Sequence, residues 1–239
     1  MQIHFFSLLA QGKVDLNNLA ATLVGCGGTL LWYLAYLLII RRARIDKIYG
    51  MPFAAMCVDT MWEFIYTFQI HPPPSAGRMQ VLGAIMADLI WFLLDVGIVI
   101  TWLCYWRAGS PPGLSRKWHL PALAAALAAS AAVIYGMQLE FAHLPGEHQL
   151  PGGVSSFLRS LLMSATFVAM VLRRNSTAGQ SLAIALTMLL GGVMGSAYMV
   201  MSSSHFRTPF WITLFVVIFL LDSLYTVLLA RLRGAPQTA

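Results

Sequence analysis

Two carboxylates set four residues apart in an otherwise greasy run carry the first chemical signal of this chain. They are Asp59 and Glu63, in the stretch CVDTMWEFIY from Cys57 to Tyr66. Residues three and four apart share a helix face, so Asp59, Trp62, Glu63 and Tyr66 form one stripe of two acids and two aromatics. The apolar run around them, Tyr49 to Ile70, has about the 20 residues that a helix needs to cross a bilayer, which sets both acids near its centre. An ionised carboxylate at that depth costs roughly 2.5 to 3.5 kcal/mol on insertion scales, so such a group is protonated, paired or turned to a polar cavity. The chemistry this favours is proton transfer. A structural pair between helices is the competing explanation.

The theme returns twice. In ADLIWFLLDVG, Asp88, Trp91 and Asp95 fall at spacings of three and four, again on one face. In the last apolar run, Trp211, Phe215, Ile218, Asp222 and Tyr225 follow the same rhythm around a single acid. The tetrapeptide FLLD occurs at Phe92 to Asp95 and again at Phe219 to Asp222. Leu and Phe are so common here that chance explains the repetition. With a rise of about 1.5 Å per residue, Asp59, Glu63, Asp88, Asp95 and Asp222 all fall within roughly 6 Å of their span midpoints. Three helices thereby offer these carboxyls to one hollow, too many to ionise together, and some of them hold a proton at neutral pH. A neutral carboxylic acid facing an apolar cavity is a competent proton donor to a weakly basic substrate. Trp62, Tyr66, Trp91 and Tyr225 then offer π faces to a cation formed afterwards, worth about 2 kcal/mol each when desolvated. Each aromatic taken singly also suits plain packing.

The elements that must position these groups are membrane spans. The chain is 59% hydrophobic and 10% charged over 239 residues, far from the composition of a soluble domain. Seven apolar runs are long enough to cross a bilayer: 19–40, 49–70, 80–105, 120–142, 154–172, 180–201 and 208–229. The expected fold class is all-α, one transmembrane domain over 1–239, with no room for a soluble catalytic domain. The net charge of +6 follows the bilayer rather than nucleic acid. Arg41, Arg42, Arg44, Lys47, Arg107, Arg116, Lys117, Arg173, Arg174, Arg231 and Arg233 fall on one side, against Lys13, Arg78, Arg159 and Arg207 on the other. The positive-inside rule then places the N-terminus outside or lumenal and the C-terminus in the cytoplasm.

The remaining features are read as structural. Gly25, Gly27 and Gly28 in the first span, and Gly191 and Gly195 in the sixth, suit close helix contact. The first span carries no charge and argues no chemistry. Ser156, Ser160 and Ser164 recur at steps of four in the fifth span; Arg159 beside them reads as an interfacial anchor, or as a partner of Glu140 or Glu147. Glu140 lies close enough to the interface to reach water. The HPPPS loop, His71 to Ser75, is a stiff outer connection, and Ile3 to Ala10 reads as an interfacial segment rather than a signal peptide. Cys26, Cys57 and Cys104 read as small buried apolar residues with no metal spacing.

These motifs resemble a known family. WE in the second span after a polar residue four positions before the Glu, LLDVGI in the third and LLDSLY in the seventh are similar to those of the small seven-helix membrane-bound terpene cyclases of fungal meroterpenoid and indole-diterpene pathways and their bacterial relatives. The resemblance covers the whole chain in length, span count and motif order. It implies proton-initiated cyclisation of a prenyl chain, with or without a terminal epoxide, on a meroterpenoid or prenyl-aromatic substrate. It further implies no cofactor and no metal, with Glu63 and Asp222 as the essential acids. Asp59 and Asp95 depart from the family pattern, in which Asn is common. That leaves open which carboxyl delivers the proton and whether an epoxide or an alkene is preferred.

Rival readings remain. DTMWE and DLIWFLLD imitate the paired acids that hold magnesium on a diphosphate in intramembrane prenyltransferases, although mid-membrane acids lie far from the water a hydrated magnesium prefers. A small proton-coupled transporter would use the same carboxylates as a relay, with broken helices near the midplane, yet Pro52, Pro121 and Pro209 all fall at span starts. His71, His143, His148 and His205 share the outer side, but without ligand spacing. The expected partners are a lipophilic prenylated small molecule and the bilayer itself, in a bacterial inner membrane or an endoplasmic reticulum membrane.

Overall fold

Long apolar runs without interior proline leave the backbone one way to satisfy its polar groups away from water, the α-helix. The computed structural model describes residues 16–69, 78–109, 116–141 and 150–234, and these form seven α-helices with two short 3-10 turns. In chain order they are α1 (Leu16–Asp46), α2 (Phe53–Phe68), α3 (Arg78–Gly109), α4 (His119–Phe141), α5 (Leu150–Arg174), α6 (Leu182–Ser202) and α7 (Pro209–Gly234). No strand occurs among the described residues. The Ile3 to Ala10 segment, the HPPPS loop, Lys13, Glu147, His143 and His148 lie outside them.

Six of the helices are long and apolar enough to cross a membrane. The exception is α2, whose 16 residues reach about 24 Å at the helical rise, short of a full hydrocarbon core. The expected span from Tyr49 to Ile70 is thus trimmed at its start, because Pro52 occupies the N-cap and Tyr49 to Met51 belong to the loop before it. In contrast, α1 and α3 run past their expected ends, carrying Arg41, Arg42, Arg44 and Arg107 on helical extensions. At the start of α6 the Ser181 hydroxyl accepts from the Ile184 N–H at 3.3 Å, and α7 begins on Pro209, a residue suited to a first turn.

Six helices close into a ring in the order α1, α3, α2, α5, α7, α6 and back to α1, while α4 packs outside against α2 and α5. The glycines of the first and sixth spans, each expected to suit close helix contact, meet at the α1–α6 seam. A methyl group on Gly28 would lie 3.3 Å from the Gly195 nitrogen and 3.4 Å from the Gly191 oxygen, so the two backbones approach too closely for a larger residue to enter freely. Outward faces are greasy: Leu23, Leu30, Leu37, Leu93, Leu139, Leu172 and Leu220 are all exposed, as a lipid-facing belt requires. Cys57 is buried and Cys26 half-buried, but Cys104 is exposed, because it lies on the outward face of α3 rather than in the core.

Where α1, α3 and α5 finish, a polar network ties the loops. The Tyr49 hydroxyl donates to the Gly109 carbonyl at 2.8 Å, and Arg174 Nη1 donates to the Tyr49 and Ala178 carbonyls at 3.0 and 3.1 Å. The Gly179 N–H donates to Asp46 Oδ2 at 2.7 Å, from a backbone with φ of +76° that favours glycine. This network fixes the ends of the ring and thereby the depth of the groups inside it.

Candidate active site

The helical period of α2 turns Asp59 and Glu63 inward together with Met56, Thr60 and Thr67, and both acids are buried. From α5 comes Arg159, whose Nη1 lies 2.5 Å from Asp59 Oδ1 and 2.9 Å from Glu63 Oε1. From α1 comes Tyr36, whose buried hydroxyl donates to Asp59 Oδ2. From α3 comes Asp95, also fully buried, and oxygens of Asp59, Glu63 and Asp95 all lie within 4.8 Å of one another. Asp88, two turns earlier on α3 and half-buried, is close enough for its charge to be felt at Glu63. Four helices therefore converge on one small volume in which acids outnumber the guanidinium.

The aromatic stripe of α2 lies beside these acids and holds the arginine. Trp62 and Tyr66 stack at 4.3 Å with 24° between their planes, and the Arg159 guanidinium carbon sits 4.3 Å from the centre of the Trp62 ring. Trp62 is itself fixed by a 2.8 Å hydrogen bond from its Nε1 to Ser155 Oγ, and the Tyr66 hydroxyl donates to Gln138 Oε1 on α4 at 3.0 Å. Trp91 packs against Tyr33 at 4.4 Å and edge-on to Tyr36 at 5.1 Å, so α1 and α3 share a second aromatic cluster at the same acids.

Asp222 stands apart. It is buried on α7 beside the Ser164 hydroxyl of α5, and a methyl group on Gly192 of α6 would lie 3.4 Å from its Oδ2. Tyr225, one turn on, is fully buried against Phe167 at 5.3 Å. Among the described residues, Asp222 Oδ1 and the Tyr225 hydroxyl meet no hydrogen-bond partner. Thus α5 stands between two acid sites, with Arg159 reaching toward α2 and Ser164 lying beside α7. The hollow expected to hold five carboxyls together resolves into a cluster of Asp59, Glu63 and Asp95, with Asp88 near it, and a separate site around Asp222.

Two residues of the cluster escape the sequence reading. Arg159 is not an interfacial anchor and does not pair with Glu140, which is exposed; it is bound inside the bundle by Asp59 and Glu63. The signal for this was depth, because Arg159 lies more than two helical turns inside α5. Tyr36 corrects the view that α1 is purely structural, and it carried no usable signal: a tyrosine in an apolar span gains meaning only from the acid opposite.

A helical bundle with six long apolar spans that buries carboxylates around the Arg159 guanidinium defines a multi-pass membrane protein with an ionisable cluster in its interior. The family model described as Pyr4-like transmembrane terpene cyclases matches residues 15–235 of this chain, and the chain belongs to that family. It is 32% identical over 176 residues to the Pyr4-family terpene cyclase mfmH of Annulohypoxylon moriforme, covering 72% of this chain and 66% of that protein. It is 34% identical over 157 residues to the terpene cyclase ausL of Emericella nidulans, covering 64% and 71% of the two chains. Across 213 residues it is 26% identical to the terpene cyclase pyr4 of Aspergillus fumigatus, covering 84% and 82%. The alignment thus spans just under two thirds of mfmH and more of the other two. Membership makes this a multi-pass membrane protein of a terpene-cyclising family and takes support from the transporter reading.

Proposed function

We propose that this chain is a metal-independent terpene cyclase that starts its reaction by protonating the end of a prenyl chain carried on a meroterpenoid or prenyl-aromatic substrate. The observation that carries the proposal is the crowding of Asp59, Glu63 and Asp95 within 4.8 Å around one Arg159 in the bundle interior. One guanidinium balances one carboxylate, and a further ionised carboxylate buried beside it would lack compensation. At least one acid there keeps its proton, which an alkene or epoxide threaded between the helices can accept. The three acids also have the spacing of a divalent-cation site, yet the cation they surround is supplied by the protein, and its charge fills the role a metal would have.

Glu63 is the donor the family resemblance favours, and its Oε2, like Asp59 Oδ1 and both oxygens of Asp95, is buried without a hydrogen-bond partner among the described residues. Asp222, on the other flank of α5, is suited to take a proton from the last carbocation or to guide it there, and Asp88 and Asp95 supply proton exchange to Glu63. Trp91 and Tyr225 offer π surface to the developing cation, while Trp62 and Tyr66 shape the wall that holds Arg159. A proton gained at the start is lost at the end, so substrate and product are isomers. The basic ends of α1, α3, α5 and α7 face the cytoplasm in this reading, in an inner or endoplasmic reticulum membrane.

Membranes containing the protein, supplied with farnesylated or geranylgeranylated aromatics with and without the terminal epoxide, test this directly. The expected result is a cyclic product of unchanged mass that survives excess chelator. Loss of product on chelation, restored by magnesium, would overturn the metal-independent mechanism.

A further inference from the structure

Because α2 starts late, its neighbours α3 and α5 run on past its first turn, and the space left beneath that turn is bordered by the start of α4. A cavity of about 420 Å³ opens there, at the basic end of the bundle, within the size range of small-molecule sites. We infer that this cavity seats the aromatic, non-prenyl end of the substrate while the prenyl chain runs inward to the acids. The inference rests on the prenyl-aromatic substrate proposed above.

The cavity walls are flat rings. Phe53 and Trp102 meet at 5.0 Å with 32° between their planes, and His119 of α4 stacks on Trp106 at 4.6 Å with 3° between theirs. Such surfaces gain most from another ring, by offset stacking or edge contact, and a flexible acyl chain uses them less well. At the rim stands Arg173, exposed, with its Nη2 donating to the Tyr49 hydroxyl at 3.2 Å. A guanidinium carries five N–H donors, so this bond holds the group at the mouth while others serve an oxygen on the ring. Among the described residues that line the cavity none is acidic, and a phenolic or carbonyl oxygen meets no repulsion there.

Helix register joins the cavity to the acid cluster. Counting seven residues along each of three helices leads from cavity wall to cluster: from the Pro52 cap to Asp59 on α2, from Trp102 back to Asp95 on α3, and from Thr166 back to Arg159 on α5. Residues at that spacing share a helix face, and the axial step is about 10 Å in each case. One turn in from the cavity on each face lie Met56, Ile98 and Met163, all buried in one core. Two of the three are methionines, whose unbranched thioethers repack around a guest more readily than branched chains do. An amphiphile entering from the basic end keeps its polar ring near the interface and puts its apolar tail at depth. The reactive end of the chain is then the end that reaches Asp59, Glu63 and Asp95.

Photolabelling in membranes that hold the full chain tests this. A prenyl-aromatic probe carrying a diazirine on its ring is expected to label Phe53, Trp102 or Trp106, and one carrying it at the chain end to label the middle of α2 or α5. Excess unlabelled prenyl-aromatic lowers the ring labelling about tenfold or more, and excess phosphatidylglycerol does not. Ala122→Phe and Ala169→Phe narrow the cavity from exposed positions at its edge, so KM for the prenyl-aromatic rises about tenfold while kcat changes less than about twofold. Their preference for it over a prenyl alcohol of equal length, read as kcat/KM, falls by the same factor. Arg173→Met raises KM several-fold for a ring bearing a hydroxyl, and Arg173→Lys recovers part of the loss. Ring labelling outside the cavity, or its displacement by phosphatidylglycerol, overturns the inference even where cyclisation proceeds. Absence of any cyclic product with the ring label in the cavity would instead sink the cyclase reading and leave the cavity assigned.

Discussion

Two arginines of α5 sit over aromatic rings at nearly equal distances, Arg159 at 4.3 Å from Trp62 and Arg174 at 4.4 Å from Tyr49, yet they serve different ends. Arg174 donates to the carbonyls of Tyr49 and Ala178. Its acceptors are neutral, so the network is a staple that ties the α1–α2 loop to the α5–α6 turn. Arg159 has two carboxylates as ion-pair partners, with a third at hand, so its network concentrates charge inside the bundle. The same side chain over the same kind of ring becomes structural or chemical according to what accepts its hydrogen bonds.

The largest expected effects separate the two ends by chemistry. Glu63→Gln and Asp222→Asn each lower turnover by about a hundredfold to ten-thousandfold while the protein still inserts and purifies. Arg174→Gln leaves kcat close to wild type; product formation per inserted protein is the measurement. Stability draws the next distinction. Arg159→Met strands the ionised carboxylate of the cluster without a cation and lowers stability by about 3–5 kcal/mol, a loss that shrinks as pH falls and the cluster takes up a compensating proton. Arg174→Gln gives up hydrogen bonds to backbone carbonyls and lowers it by about 1–3 kcal/mol, with little dependence on pH. Thermal unfolding in detergent across a pH series reads both.

Smaller effects refine the contrast. Gly179→Ala forces a side chain into a backbone with φ of +76°, close to the Tyr49 carbonyl, and lowers stability by about 1–2 kcal/mol without altering the product. Tyr225→Phe removes a buried hydroxyl that meets no partner among the described residues, so the unfolding free energy stays within about 0.5 kcal/mol of wild type or rises. A large loss there would mean that the hydroxyl is satisfied in the membrane by a group of the bound substrate or by water.

Much of the fold is readable from composition because the bilayer enforces it. Apolar runs of sufficient length must become helices, and basic residues gather at one end, as Arg41, Arg107, Arg173 and Arg231 do. Helix ends were less readable, since Pro52 starts α2 late and the charged tail of α1 continues its helix to Asp46. Within the site, the acids announce themselves by being expensive in an apolar span. Their partners do not: Tyr36 looks like any aromatic in a greasy helix, and Arg159 looks like an anchor until its depth in α5 is known.

From sequence alone came the all-helical membrane bundle, the acids at mid-span and the likeness to a cyclase family, because each depends on residue type and on spacing within one helix. Which acids meet, and which cation they meet, was settled only by the closing of the ring. Helix period fixes the face that a residue occupies on its own helix but says nothing of the helix opposite. The order α1, α3, α2, α5, α7, α6 brings Arg159 to Asp59 and Glu63 and leaves Asp222 on the other flank of α5. Charges separated by about a hundred residues of chain become neighbours through packing, and packing is a property of all the helices at once.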